Sequence, residues 1–147
     1  MRTKLVLVAA TVGLVVSAGV PGAGADNPGL WARLSGANEV GGGDPDGRGR
    51  IEIYEENGQA CFWLTWRDIG APTAAHIHKG KRGQNGPIVH TLYSGPAISR
   101  GRSIERCTND YDPDVAAAVL ANPSDYYVNI HNRAYPDGAV RGQLQAG

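Results

Sequence analysis

Short runs of alternating polar and apolar residues, each closed by Gly, Pro, Asn or Asp, constrain this chain more than any other feature. Arg50-Ile-Glu-Ile-Tyr54 alternates, Asn57-Gly58 follows, and Gln59-Ala-Cys-Phe-Trp-Leu-Thr-Trp66 resumes the pattern. A period of two sends successive side chains to opposite faces of a strand, and Asn-Gly supplies the positive backbone angles of a tight hairpin turn. Ala60, Phe62, Leu64 and Trp66 share one face; Cys61, Trp63 and Thr65 share the other. Apolar groups on both faces predict a central strand. Further strands are expected at Trp31–Leu34, Ala74–His78, Pro87–Tyr93, Tyr126–His131 and Ala139–Leu144, with room for an edge strand within Ile98–Cys107. The 21 Gly and 9 Pro include turn clusters at Gly41–Gly47 and Pro136–Gly138. One helix is predicted: Asp112 as N-cap, Pro113 in the first turn, Val115–Leu120 as its body and Asn122-Pro123 as its stop. The expectation is an all-β fold, an antiparallel β-sandwich or flattened Greek-key barrel of about seven or eight strands with one short helix.

The N-terminus reads as a targeting segment. Arg2 and Lys4 precede an uncharged run from Leu5 to Val20, Pro21-Gly22 breaks it, and Ala23-Gly-Ala25 offers small residues where a signal peptidase reads them. Residues 1–25 are expected to be a signal peptide cleaved before Asp26, leaving 26–147 as a single domain. The apolar run is shorter than the roughly 20 residues of a membrane span, and no second such run follows. A secreted or periplasmic location is expected, and Cys61 and Cys107 are then expected to form a disulfide; without CxxC spacing they make a poor metal motif. With 14 Lys+Arg against 14 Asp+Glu, the chain lacks the positive balance of a nucleic-acid binder or a polybasic membrane-surface protein.

The four histidines carry the informative chemistry. His76 and His78 form an H-x-H pair whose rings share one face of a strand, close enough to clamp one metal ion. His131 ends a strand with Asn129 and Tyr127 on its own face. His90 lies between Ile88 and Leu92 on its face and ranks below the other three. Imidazole-only donors suit copper or zinc, and no carboxylate-rich cage for calcium or magnesium is present. The sequence holds no G-x-S-x-G, P-loop or H-E-x-x-H motif. Asp110, Asp112 and Asp114 form a small acidic run in which helix capping accounts for Asp112 and Asp114, and core packing accounts for Trp31, Trp63 and Trp66.

Three segments carry a family resemblance: Leu34-Ser-Gly-Ala-Asn-Glu-Val40; Ala75-His-Ile-His-Lys-Gly80 with Asn85-Gly-Pro-Ile-Val89; and Tyr127-Val-Asn-Ile-His131 with Tyr135-Pro-Asp-Gly-Ala-Val-Arg-Gly-Gln-Leu144. Together they resemble the chordin-type domain called CHRD, from about Trp31 to Gln145. The last segment is the most specific. The first departs from the family pattern, since Gly41-Gly-Gly43 stands where prolines usually follow the Glu-Val. The resemblance implies an exported module and, by analogy with chordin, extracellular protein partners; it lends His90 no support.

In ligand order the chain is also similar to copper/zinc superoxide dismutases, which hold copper through an H-x-H on a strand, a later bridging His and a last His near the C-terminus. That similarity implies His76 and His78 as the pair, His131 as the late ligand, His90 as the bridging position and Arg141 as an anion-guiding catalytic residue. The zinc half is missing, so the implied cofactor is copper alone. Lys79, Lys81, Arg82 and Arg133 flank the histidines as candidate entrance charges. Two functions follow as expectations: copper binding, with superoxide chemistry or copper buffering, or a protein-binding or adhesion module whose histidines are structural.

Overall fold

A computed structural model describes residues 29–147; the expected signal peptide and its cleavage point lie outside the described residues. The strands are β1 (Leu30–Ser35), β2 (Arg48–Glu56), β3 (Gln59–Arg67), β4 (Pro72–Lys79), β5 (Ile88–Ser94), β6 (Ser103–Thr108), β7 (Tyr126–Asn132), β8 (Val140–Gln143) and the two-residue β9 (Gln145–Ala146). They form one sheet in the order β5-β4-β7-β8-β1-β2-β3-β6, with β9 paired to β1. Every pairing is antiparallel. The expected all-β fold with one short helix is present.

Local chemistry accounts for the elements. Asn57 and Gly58 hold φ of 52° and 77°, the left-handed geometry that joins β2 to β3 with Glu56 opposite Gln59. The helix α1 (Pro113–Ala121) is capped by the Asp112 carboxylate, which accepts from the backbone N–H groups of Asp114 and Val115 at 2.9 and 3.4 Å. Ile98–Cys107 resolves into the edge strand β6, and Cys61–Cys107 is a disulfide between directly opposed residues of β3 and β6.

The sheet curls so that its two wings share one core. Leu34, Ile51, Phe62, Leu64 and Trp66 from β1–β3 pack with Ala75, Ile77, Leu92, Val128 and Ile130 from β4, β5 and β7. Burying each of the larger aliphatic side chains contributes about 1.5–3 kcal/mol. The path is left open between β5 and β6, and His90, Tyr111 and Thr108 sit near that seam with Phe62 and Ile77. One expectation changes. Trp63 is 41% exposed, so the second face of β3 is solvated there, while Cys61 on the same face is buried at the disulfide, although the strand lies between β2 and β6. The aromatic belongs to the outer surface, because the core is closed by the other wing of the sheet and needs only one face of β3.

Candidate metal centre

The outer face of β4, β7 and β8 is polar, and cross-strand register explains why. His76 stands opposite Asn129, His78 opposite Tyr127 and Ala74 opposite His131. Asn129 and Tyr127 in turn stand opposite Arg141 and Gln143. Residues directly opposite share a face. His76, His78, Asn129, Tyr127, His131, Arg141 and Gln143 are therefore gathered on one side, while Ala75, Ile77, Val128, Ile130 and Val140 face the core. His76, His78 and His131 each offer a ligand atom, and the three atoms lie within 4.8 Å of one another.

Hydrogen bonds set which nitrogens are free. His78 Nδ1 donates to the Gly86 carbonyl at 2.9 Å, and His131 Nδ1 donates to the Pro136 carbonyl at 2.8 Å. A neutral imidazole that donates through one nitrogen keeps a lone pair on the other. The Nε2 atoms of both rings are thus left as acceptors or ligands. His78 Nε2 is buried and has no hydrogen-bond partner. His131 Nε2 lies 3.0 Å from His76 Nδ1 and 3.0 Å from Asn129 Oδ1. With His131 Nδ1–H committed to Pro136, His76 Nδ1–H donates to the His131 Nε2 lone pair.

Burial favours the neutral form of His76 and His131. Burial, followed by the His131 and His78 rings, lowers His76 to about 4. Burial also lowers His131, offset in part by its bond to Pro136. Neutral imidazole is the form that ligates. An ion bound about 2.0 Å from each of three nitrogens in a tetrahedral arrangement holds them roughly 3.3 Å apart, so a present spacing of up to 4.8 Å closes by about 1.5 Å, shared between two side chains. Three nitrogens, one of them a buried lone pair without a partner, form a donor set that fits copper or zinc.

Arg141 occupies the floor beside this cluster. It is 1% exposed, and its guanidinium lies 3.3 Å from the centroid of Tyr127, whose ring stacks on His78 at 4.7 Å with planes 8° apart. It donates to Asn85 Oδ1 at 3.1 Å and to the carbonyls of Lys81 and Gln84 at 3.1 and 2.5 Å. Gln143 donates to the carbonyls of Gly80 and Ser124. The loop between β4 and β5 is thus tied down over the outer face, and the geometry gives Arg141 the place of a loop clamp. Burial lowers the Arg141 pKa, against the pull of Tyr127 and Glu39.

His90 is not brought to the triad. It stands opposite Ile77 in the β4–β5 pair, which puts it on the core side, where its ring packs on Tyr111 at 4.2 Å. Two register shifts between β4 and β5 separate its face from that of His76 and His78. Among the flanking cations, Lys81 approaches Asp125 at 3.7 Å and Arg82 donates to Asn38 at 3.5 Å.

Sequence reasoning passed over the stacking of Tyr127 between Arg141 and His78, the carbonyls of Gly86 and Pro136, and the side chain of Glu39. Glu39 Oε1 is buried without a partner. Burial raises its carboxyl to about 7, against the pull of Arg141. Gly138, at φ 142°, leaves no room for a Cβ over that carboxyl. The only hint was Glu39's place in the first family-like segment.

The fold and site define a class: an all-β, disulfide-braced module carrying a histidine triad on the outer face of its curled sheet. The family model for the CHRD domain matches residues 30–144, and the chain belongs to that family. No curated protein and no solved structure matches it. No helix among the described residues is long and apolar enough to cross a membrane.

Proposed function

We propose that this chain is an exported CHRD module that binds one copper ion through His76, His78 and His131, serving as a copper buffer with access to superoxide chemistry. The observation that carries the reading is the convergence of one ligand atom from each of His76, His78 and His131 to within 4.8 Å of one another, beside a buried Nε2 of His78 that has no partner. An uncompensated buried lone pair is costly, and a metal ion removes that cost. When bound, copper supplies a centre that cycles between two oxidation states. The chain's own residues orient the rings: the Gly86 and Pro136 carbonyls accept from Nδ1–H of His78 and His131 and so fix both rings. His76 ligates through Nδ1 once its proton resides on Nε2.

The test is a Cu(II) titration of the mature domain, followed by calorimetry and EPR. One ion per chain with nitrogen hyperfine structure is expected, and at least a tenfold loss of affinity in His76→Ala and in His131→Ala. Stoichiometric binding that both variants leave unchanged refutes the ligand set. A superoxide assay of the loaded protein separates dismutase chemistry from buffering.

One observation favours a second reading. Each of His78 and His131 also ties a loop carbonyl to the sheet, as expected of structural histidines in a protein-binding module. On that reading His78→Ala lowers stability and metal titration gives no heat.

A further inference from the structure

The outer face of the other wing carries a second unassigned surface. Register places Arg33 opposite Arg50, and Arg48 opposite Arg67. Arg102 lies beside them, with its carbonyl accepting from the Trp66 N–H. Trp63 stands in the next row of the same face, opposite Glu52 and Glu105. The five arginines and Trp63 line a shallow hollow of about 730 Å³. Arg33, Arg48, Arg67 and Arg102 are exposed, and Trp63 is 41% exposed.

Like charges directly opposite each other on paired strands repel and destabilise the sheet. Carboxylates relieve this only in part: Arg50 pairs with Glu52 and Arg67 with Asp68. Arg33, Arg48 and Arg102 have no ion pair among the described residues. Every cation of the patch is arginine, whose planar fork grips carboxylate, sulfate or phosphate with two parallel N–H donors. The Trp63 indole beside them is a flat apolar platform, whereas Trp31 on the same face is already covered by the Arg50 guanidinium at 5.1 Å.

We propose that this surface binds a linear anionic polysaccharide, with Arg33, Arg48 and Arg102 pairing to its carboxylates or sulfates and Trp63 stacking on the face of a sugar ring. The chemistry favours a charged glycan because the patch joins an anion-gripping row to a stacking ring at adjacent register positions of one rigid sheet. A bare polyanion uses only the first, and a neutral glycan only the second. The surface lies on β1–β3 and β6, apart from the histidine triad on β4 and β7, so it stands or falls independently of metal binding.

The test uses the mature protein with polygalacturonate and dextran sulfate as glycan probes, and with inorganic polyphosphate and anionic phosphatidylglycerol vesicles as non-glycan polyanions. Binding is read by calorimetry and tryptophan fluorescence. At least one glycan is expected to bind with salt-dependent affinity, falling tenfold or more in Arg33→Ser/Arg48→Ser/Arg102→Ser and at least threefold in Trp63→Ser. Binding of polyphosphate, where present, is expected to be unaffected by Trp63→Ser. Melting temperatures of both variants are read alongside; the triple variant is expected to be no less stable, since it removes like-charge opposition. His76→Ala is expected to bind the glycan as wild type. Absence of binding to both glycans overturns the proposal. So does tighter binding to polyphosphate or vesicles, or an affinity for glycan that Trp63→Ser leaves untouched.

Discussion

Replacing Glu39 by glutamine is expected to stabilise the protein at pH 8 and to change little at pH 4.5. In the folded chain the carboxyl is raised from 4.5 to about 7, because one oxygen is buried without a donor and Arg141 compensates only in part. Between those values the folded state holds a proton that the unfolded state releases, so stability falls as pH rises through this window. The full shift corresponds to about 3 kcal/mol. The side chain is partly open to water, so screening reduces the expected loss to about 1–2 kcal/mol. His76 works with the opposite sign. Its folded value, lowered from 6.5 to about 4, means that the unfolded state takes up the proton first, and stability falls as pH drops from 6.5 towards 4. The two slopes oppose each other between about pH 4.5 and 6.5, while His131 and His90, also lowered by burial, add to the acid-side loss. Glu39→Gln removes one slope and exposes the other. Urea unfolding of the metal-free protein at pH 4.5, 6 and 8 measures this: the variant gains about 1–2 kcal/mol at pH 8 and loses stability on acidification more steeply than wild type. A variant that is less stable than wild type at pH 8, or whose gain is the same at pH 4.5 and 8, refutes the burial argument.

Other consequences are equally direct. His76→Gln is expected to flatten acid destabilisation of the metal-free protein below pH 6.5 by about 1–2 kcal/mol after screening, read by the same urea series. Arg141→Ala strands the Lys81 and Gln84 carbonyls and the Asn85 side chain; a loss of about 3 kcal/mol is expected in denaturant unfolding, with faster amide exchange across residues 80–86. Reducing Cys61–Cys107, which are 46 residues apart, is expected to cost about 2–4 kcal/mol, read as a fall in melting temperature. Gly142→Ala drives a Cβ into the backbone carbonyl of Arg33, and a loss of cooperative folding by circular dichroism is expected; a native-like melting curve refutes that contact.

Much of the architecture was legible because its signals are local. Alternation, Asn57-Gly58 and the Asp112-Pro113 cap act over a few residues and needed no partner to be read. The H-x-H pair was legible for the same reason: period two places His76 and His78 on one face in any strand. His131 joined the pair only through the similarity in ligand order to copper/zinc superoxide dismutases, since nothing local says that β7 lies beside β4. His90 shows the limit. Its spacing allowed a ligand role, yet its face depends on register shifts that arise only when β4 and β5 pair. Glu39 and the surface around Trp63 were invisible for a related reason, since burial of a carboxyl and opposition of arginines are properties of neighbouring strands.

By itself, then, the order of residues determined that this chain is a turn-rich β protein with one capped helix, two cysteines and a pair of imidazoles facing the same way. Only the folded sheet decided which strands are neighbours, and with them which nitrogens converge, which carboxyl loses water and which arginines repel. The division has one physical cause. Backbone preference and side-chain alternation are set within a few bonds, whereas proximity across a sheet is set by hydrophobic closure of the whole core.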